Sequence, residues 1–445
     1  MQHLCKRYLT IKAGVKLSEQ SPCGAAGVVR RNIGHNSLKR IVTSGDSVLE
    51  GFFVSKTMLP CLQNILYERE KDAMKTCYMC GCNLTSDNET KEHVFIQAIG
   101  GRLSSKTLLC QQCNSNFGST IDNVLADELN FISNMLNIKR DRGKPPAFNV
   151  EDTKTGEVLS CEPGGKLQYI KPTIEQEENQ YHIRVNDLKQ AKEVIRGLKR
   201  HHPEIDEKTI LESMKTRMEY LDHPVSFEIK FGEEDSFRSI CKTAINFYLY
   251  SNGCIQTIEH LLPYIKREVD RDDIVFWANL KSDPIERAVC DICHNIIVIG
   301  DHDKGILFSY IEFFGVYRTI VVLNNQYKGN DFKASYFFDV ILRQEIKRAW
   351  KLELSKNELE EMAKLSLPVE AMIHQIYTLM EKIQKKQSND HVHDLLEKAL
   401  DNSLRKYPEG TLITEEMCEE LTNETMTQVV PWLLHIFNNQ KKNNE

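Results

Sequence analysis

The chain lacks any apolar run long enough to span a bilayer, and it has no strong excess of charge of one sign. Its net charge is −6 over 445 residues, which argues against a protein that coats nucleic acid with its whole surface. The first residues, Met1–Leu9, also lack the hydrophobic core of a secretion signal. We therefore expect a cytoplasmic protein whose contact with any polyanion is a local patch.

The missing export signal also bears on the 14 cysteines. Without export, thiols or metal ligands are expected rather than disulfides. Five cysteines crowd between residues 77 and 113, and seven are scattered and predicted to be small buried hydrophobes. The remaining pair, in Cys290-Asp291-Ile292-Cys293-His294, matches the spacing of haem attachment, which requires export. It leads into a predicted strand, so buried thiols are the better interpretation there.

The chain is too long for one hydrophobic core, and its patterning predicts an α+β protein in four regions. Residues 1–70 form a basic, partly disordered arm, since residues 1–50 carry eight Lys/Arg against three Asp/Glu. Residues 71–145 bear the cysteines and end in a basic stretch with two prolines. Residues 146–345 are predicted to be a mixed α+β domain of unknown role, and residues 346–445 a helical region.

Periodicity predicts several elements beyond the cysteine-bearing region. They are a helix over residues 188–198, an alternating strand over residues 225–231, a helix over residues 238–250, a β-meander over residues 295–299, 306–314 and 316–323, and a helix with a capping box at Ser355–Glu358. None of these elements carries a motif that predicts chemistry.

Two matched cysteine pairs, Cys77-x-x-Cys80 and Cys110-x-x-Cys113, predict a structural zinc site. Two residues between thiolates let both sulfurs of a tight turn face one ion, and two such turns complete a closed tetrahedral site. The gap between the pairs exceeds that of a simple zinc ribbon, so folded structure is expected within it. Cys82 is the spare thiol and is not expected to bind the ion.

Glu92-His93 begins an apolar stretch between the pairs, and Gly100-Gly101 follows it. The stretch through Ile96 predicts a short strand, the glycines a turn, and residues 106–109 the returning strand, with a helix through Cys113 and Asn114. Adjacent strand residues face opposite sides, so the carboxylate and the imidazole could hold a cation and meet the attacking water from different directions.

This order of residues resembles the HNH endonuclease family, whose fold is a ββα-metal finger. The residues that carry the resemblance are Glu92, His93, Val94, Gly100, Gly101, Leu109, Cys110, Cys113, Asn114, Phe117, Gly118, Ile121 and Asp122. Together with the first cysteine pair and the flanking residues, the resemblance covers about a sixth of the chain. A weaker likeness to longer bacterial members extends to residues 138–144 and to the helix at residues 238–247.

The resemblance implies roles for three residues. His93 would be the general base, while Glu92 and Asn114 would be the ligands of one catalytic divalent cation, Mg²⁺ or Mn²⁺. These roles suit phosphodiester hydrolysis, which needs an activated water and a cation to absorb developing charge. A neutral imidazole and hard oxygen ligands are appropriate to those two tasks.

Some features leave alternatives open. Ser105 stands where many members of the family have an Asn that orients the base, so another group must orient His93 or the site is less active. Asn114 could instead be a helix cap. Asp122 is interpreted as a capping residue paired with Ser119, with a cation-site contribution as the minority view. Phe117, Ile121, Leu125 and Leu129 recur at helical spacing and are predicted core.

A basic patch directly follows the finger, at Lys139, Arg140, Arg142 and Lys144, and would suit phosphate contacts or a solvated linker equally. The function expected from these features is cleavage of nucleic acid, with DNA as the leading substrate. One base per finger implies nicking of one strand, so a double-strand break would need two copies, a homodimer. The alternatives are a zinc finger that binds nucleic acid without cleaving it, and a regulatory protein in which residues 147–445 dominate through an unknown partner.

Overall fold

The computed structural model describes residues 9–14, 75–177, 180–203, 205–214, 221, 224–289, 291–365, 369–408 and 410–444. The chain divides into two compact units, Met1–Leu17 with Thr76–Glu445, and Ser18–Lys75. The second unit lies outside the described residues apart from Lys75. The predicted basic arm over residues 1–70 likewise lies outside them, except for a strand at Leu9–Gly14.

The described residues contain fifteen strands. In chain order they are β1 (Leu9–Gly14), β2 (Glu92–His93), β3 (Ser104–Ser105), β4 (Phe148–Asp152), β5 (Val158–Glu162), β6 (Lys166–Tyr169), β7 (Thr173–Glu177), β8 (Gln180–Arg184), β9 (Val225–Phe231), β10 (Val275–Trp277), β11 (Cys293–Asp301), β12 (Ile306–Phe313), β13 (Tyr317–Asn324), β14 (Phe332–Asp339) and β15 (Gln344–Ile346).

The same part of the chain contains ten α-helices. They are α1 (Gln111–Ser119), α2 (Ile121–Glu128), α3 (Asn130–Met135), α4 (Leu188–Lys199), α5 (Glu207–Ser213), α6 (Glu234–Tyr250), α7 (Leu262–Ile265), α8 (Lys356–Ala363), α9 (Val369–Leu404) and α10 (Glu415–Asn444). The α+β class and the helical C-terminal region predicted from the sequence are thus confirmed. No helix within the described ranges is long and apolar enough to cross a membrane.

A six-stranded antiparallel sheet within the described residues has the order β10-β13-β12-β11-β14-β15. Its centre is the predicted meander, β11 to β13, which confirms that prediction. β11 and β12 are buried almost throughout, because side chains on both faces are covered. Ile296 and Ile311 face the main core, whereas Ile297 and Tyr310 face a second core that Leu359 of α8 helps to cover.

A five-stranded sheet over the described residues has the order β1-β9-β4-β5-β6. In β9, Phe227, Ile229 and Phe231 are buried and alternate with exposed residues, as the sequence predicted. α6 follows β9 and is buried along most of its length, because its apolar residues, among them Ile240 and Ala244, pack into the core. The helices predicted over residues 188–198 and 238–250 correspond to α4 and α6.

The segment between the cysteine pairs has less strand than predicted. β2 contains only Glu92 and His93, and the returning strand is Ser104–Ser105 rather than residues 106–109. The residues that follow His93 leave the ladder because Val94, Phe95 and Ile96 are buried in the main core. A 3₁₀ helix at Gln97–Ile99 then leads into the turn.

Gly100 and Gly101 are required at that turn for different reasons. Gly100 has φ +97°, a conformation that disfavours residues with a side chain. A Cβ on Gly101 would lie 1.9 Å from the carbonyl oxygen of Phe95, so no larger residue fits. The predicted turn is therefore confirmed, and it brings the backbone back to β3.

Three helices carry the C-terminal region. α8 begins at the predicted capping box, in which Ser355 and Glu358 bond each other's backbone amides. α9 and α10 pack together as a pair. α9 is tied to the rest of the protein through Lys382, which donates to the carbonyl oxygen of Asp291 at 2.9 Å, and through Gln387, which donates to that of Met135 at 2.9 Å.

Candidate functional site

The four predicted zinc ligands converge. Among the described residues, the Sγ atoms of Cys77, Cys80, Cys110 and Cys113 all lie within 4.8 Å of one another, and Cys82 is not part of this group. The first pair lies in a tight turn, where the amide of Gly81 donates to the carbonyl oxygen of Cys77 at 2.8 Å. The second pair begins α1, with Cys110 at its N-cap. A turn and a helix start therefore present two sulfurs each.

The chemistry of this donor set fits a zinc ion. The backbone amide of Cys82 lowers the pKa of Cys80 to about 6, so that thiol ionises readily near neutral pH. Four thiols within reach of one another, two of them buried, match the closed tetrahedral sites that stabilise small folds. A metal ion bound by these four cysteines could therefore link α1 to the turn at Cys77.

His93 is half-buried rather than enclosed. Burial lowers its pKa, and the neighbouring charges of Lys91 and Arg102 act in the same direction. Arg102 forms an ion pair with Asp141 at 2.7 Å and contacts the carbonyl oxygen of Lys139 at 3.5 Å. The start of the predicted basic patch therefore contacts Arg102, and the lowered pKa of His93 favours its neutral form.

The patch itself is mostly solvent-facing. Lys139, Arg142 and Lys144 are exposed, and Arg140 is partly buried. Lys91, which the sequence analysis did not single out, is also exposed, and its charge acts on His93. We call the exposed cations Lys91, Lys139, Arg142 and Lys144 the positive surface, and such cations could bind phosphate groups.

Glu92 points the other way, into the protein, and its side chain is only 3% exposed. Its Oε1 atom lies 2.7 Å from Nζ of Lys242 and accepts a hydrogen bond from Nδ2 of Asn246 at 2.8 Å. The same amide nitrogen lies 3.4 Å from the carbonyl oxygen of His93. Burial raises the pKa of Glu92, while Lys242 opposes that shift. Two α6 side chains thus hold both residues of β2.

Asp122 does not cap a helix, so that prediction is wrong. α2 begins after Thr120 without a side-chain cap, and Ser119 donates instead to the carbonyl oxygen of Asn116. Asp122 is buried and accepts from Ser239 and from Nζ of Lys242, each at 2.7 Å. Packing of α2 against α6 draws the carboxylate inward, which a local capping rule cannot anticipate.

Asn114 and Ser105 each bond a near neighbour. Nδ2 of Asn114 donates to Oγ1 of Thr90 at 3.2 Å, so its amide oxygen is the end that could bind a cation. The hydroxyl of Ser105 bonds that of Thr107 at 2.8 Å. Ser105 thus bonds within its own turn, and the backbone of His93 is contacted by the side-chain amide of Asn246 and by its pairing with Ser104.

A divalent cation shared by Glu92 and Asn114 does not fit this arrangement. Such ions require open positions for water and substrate oxygens. The Glu92 carboxylate is buried and already neutralised by an ammonium group, whereas Asn114 is half-exposed. Their roles as ligands remain predictions of the sequence.

Sequence reasoning missed Lys242, Asn246 and Ser239. Their signal was present: polar residues four apart, Arg238, Lys242 and Asn246, recur in a helix whose other residues are mainly apolar. A polar stripe on a buried helix indicates a buried hydrogen-bond network, because such groups are rarely left unpaired. Tyr78 completes this one, since its hydroxyl donates to Oδ1 of Asn246 at 2.8 Å.

Comparison with known families agrees with the position of this site. Residues 77–130, which we call the HNH segment, match the family model of HNH endonucleases, and this similarity suggests a nuclease-like function. The match begins at Cys77 and includes both cysteine pairs, β2, β3, α1 and α2. Neither the curated proteins nor the solved structures contain a match to the chain.

Proposed function

We propose that this protein hydrolyses phosphodiester bonds of nucleic acid, with DNA as the substrate and His93 as the general base. The observation that carries the proposal is a half-buried imidazole whose pKa is lowered by burial and by the charges of Lys91 and Arg102, on a segment that matches HNH endonucleases. A base must lose its proton at working pH before it can accept one from water, and burial favours that form here.

The chain's own groups account for two parts of the reaction. His93 accepts a proton from a water whose oxygen attacks phosphorus, and one P–O ester bond breaks as the new bond forms, so that the leaving oxygen departs with the electron pair and takes a proton from solvent. Lys91, Arg102 and the exposed residues Lys139, Arg142 and Lys144 position the backbone phosphates electrostatically. Such contacts do not read bases, so they support cleavage without a defined sequence preference.

The proposal includes two metals with separate tasks. Zn²⁺ at the four cysteines would fix the geometry of the segment and take no part in the chemistry. Mg²⁺ or Mn²⁺ would supply positive charge at the phosphate, since HNH nucleases use divalent metals. For that ion, the amide oxygen of Asn114 and the substrate phosphate are the proposed ligands, since Mg²⁺ often binds through few protein groups and retains water.

The test is nicking of supercoiled plasmid in Mg²⁺ or Mn²⁺ buffer by the wild type and by His93→Ala. His374→Ala is a matched control, because His374 is exposed on α9. We expect nicking by the wild type and by the control, with a loss of roughly 10²–10⁴-fold in His93→Ala at unchanged zinc content. Equal rates for all three proteins would reject His93 as the base.

The same assay addresses oligomeric state. One base per chain cuts one strand, so a single chain is expected to give open circles. Linear plasmid that appears with second-order dependence on protein concentration would support a homodimer.

A second candidate is a finger that binds nucleic acid without cleaving it. The ion pair of Glu92 with Lys242 favours it, because this pair occupies a carboxylate that a nuclease could use for a cation. Wild-type protein that shifts DNA in a gel but leaves plasmid intact in both metals would support this candidate over the first.

A further inference from the structure

We propose that the ammonium group of Lys242 is the resident cation of Glu92 and Asp122, and that it excludes a divalent ion from Glu92. The proposal concerns the centre around His93, but it does not require that this centre cleaves nucleic acid. It assigns to Lys242 a role that the family resemblance places on a bound metal.

The first argument is distance. Nζ of Lys242 lies 2.7 Å from Oε1 of Glu92 and 2.7 Å from Oδ2 of Asp122. These are the lengths of charge-assisted hydrogen bonds, so one ammonium bridges both carboxylates. A divalent ion that shared Oε1 would have to sit against the ammonium, where two positive charges repel strongly in a medium of low dielectric.

The second argument is enclosure. The side chains of Lys242, Glu92 and Asp122 are 2%, 3% and 11% exposed. Nζ of Lys242 also lies 5.5 Å from the centre of the Phe117 ring, whose face attracts cations. Magnesium-like ions keep several waters, and this enclosure leaves no open side for them.

The third argument is that the carboxylate oxygens of Glu92 and Asp122 accept further hydrogen bonds from side chains of α6. Ser239 donates to Oδ1 of Asp122 at 2.7 Å, and Asn246 donates to Oε1 of Glu92 at 2.8 Å. α6 thus supplies a cation, a hydroxyl and an amide to two carboxylates from the HNH segment. Buried charges persist in proteins when they are paired and hydrogen-bonded in this way.

The test is Mn²⁺ titration of the zinc-loaded, full-length protein without nucleic acid, with free Mn²⁺ followed by electron paramagnetic resonance. Glu92→Gln keeps the size of the side chain and an oxygen that can accept from Lys242 and Asn246, but it removes the negative charge. Glu151→Gln, on an exposed strand residue, is its matched control. We expect equal Mn²⁺ binding, within about twofold, in all three proteins, or no binding in any of them. A loss of about tenfold or more in Glu92→Gln alone overturns the proposal.

The converse variant removes the ammonium. In Lys242→Ala, two buried carboxylates lose their counter-charge, so Mn²⁺ binding should become about tenfold tighter or more, and this gain should disappear in Glu92→Gln/Lys242→Ala. Lys230→Ala, at an exposed lysine of β9, is the control. A folded Lys242→Ala protein with unchanged Mn²⁺ binding overturns the proposal. If that variant does not fold, the Glu92→Gln comparison decides alone, and neither result depends on whether plasmid is nicked.

Discussion

The ring of His294 bridges the six-stranded sheet and the HNH segment, with Nε2 lying 2.9 Å from the carbonyl oxygen of Ile99. The amide of Phe314 donates to Nδ1 at 3.3 Å, so the ring hydrogen resides on Nε2 and is donated to Ile99. The ring also stacks on Phe95, with centroids 5.1 Å apart. β11 thus holds the turn that ends at Gly100, just beyond His93.

This contact predicts a pH-dependent stability. Burial lowers the pKa of His294 from 6.5 to about 4. Between these values the unfolded chain binds a proton at His294 that the folded protein excludes. The contribution of His294 to the free energy of unfolding is therefore fully present above pH 6.5 and is lost as the pH falls toward 4. At ~1.4 kcal/mol per pH unit, the loss is about 3 kcal/mol over the window.

Urea unfolding of the wild type and His294→Gln at several pH values between 4.5 and 7.5 measures this effect. The glutamine can still donate to Ile99 but does not titrate, so its stability should fall less steeply. The comparison uses the difference between the two proteins, because acid weakens zinc binding in both. If the unfolding free energies of the two proteins fall in parallel as the pH drops, His294 is not the cause of the acid sensitivity.

The cysteine cluster predicts a loss of metal and fold together. Cys110→Ser should lose stoichiometric zinc and unfold the segment around α1, because structural zinc contributes folding free energy directly. Cys82→Ser is the control, and it should keep both, since Cys82 is outside the cluster. Metal analysis with circular dichroism is the measurement, and full zinc in Cys110→Ser would contradict the ligand assignment.

The lowered pKa of His93 predicts a pH–rate profile. Only the neutral imidazole accepts a proton, so the nicking rate should rise with pH and level off, with the midpoint below 6.5 because burial lowers that pKa. Single-turnover rates between pH 5 and 8 measure it. A midpoint above 7, unchanged in His93→Ala, would assign the titration to another group.

The positive surface predicts salt-sensitive binding. Arg142→Ala/Lys144→Ala should weaken DNA binding evenly across sequences and reduce the slope of log K against log salt by ~0.9 for each phosphate that the variant no longer neutralises. Lys328→Ala/Lys351→Ala changes the same net charge elsewhere on the protein. Equal slopes for the two double variants would show that residues 142 and 144 do not bind phosphate.

The pair of Glu92 and Lys242 predicts strong energetic coupling. Lys242→Met leaves buried carboxylates without a counter-charge and should cost about 3–5 kcal/mol of unfolding free energy. Glu92→Gln/Lys242→Met should cost less than the sum of its single variants, by ~0.5–3 kcal/mol. Denaturant unfolding of the four proteins gives this cycle, and additive effects would argue against the pair.

Periodic and local features were predictable from the sequence. The alternation in β9, the meander and the capping box at Ser355 depend on residues close together in the chain, and all three are confirmed. The strand limits around His93 were not predictable, because the burial of Phe95 against His294 ends the ladder early. Apolar patterning cannot distinguish a strand residue from a loop residue buried by a distant sheet.

The sequence by itself determined the two cysteine pairs, the order of residues that resembles the HNH family, and the basic patch that follows it. Each of these features depends on residues that lie close together in the chain. Only the tertiary structure decided the partners of Glu92 and Asp122. Lys242 lies 150 residues after Glu92 in the numbering and meets it solely because α6 packs on α2. A buried charge pairs with a residue of whichever element packs over it, and the spacing of residues along the chain does not predict which element that is.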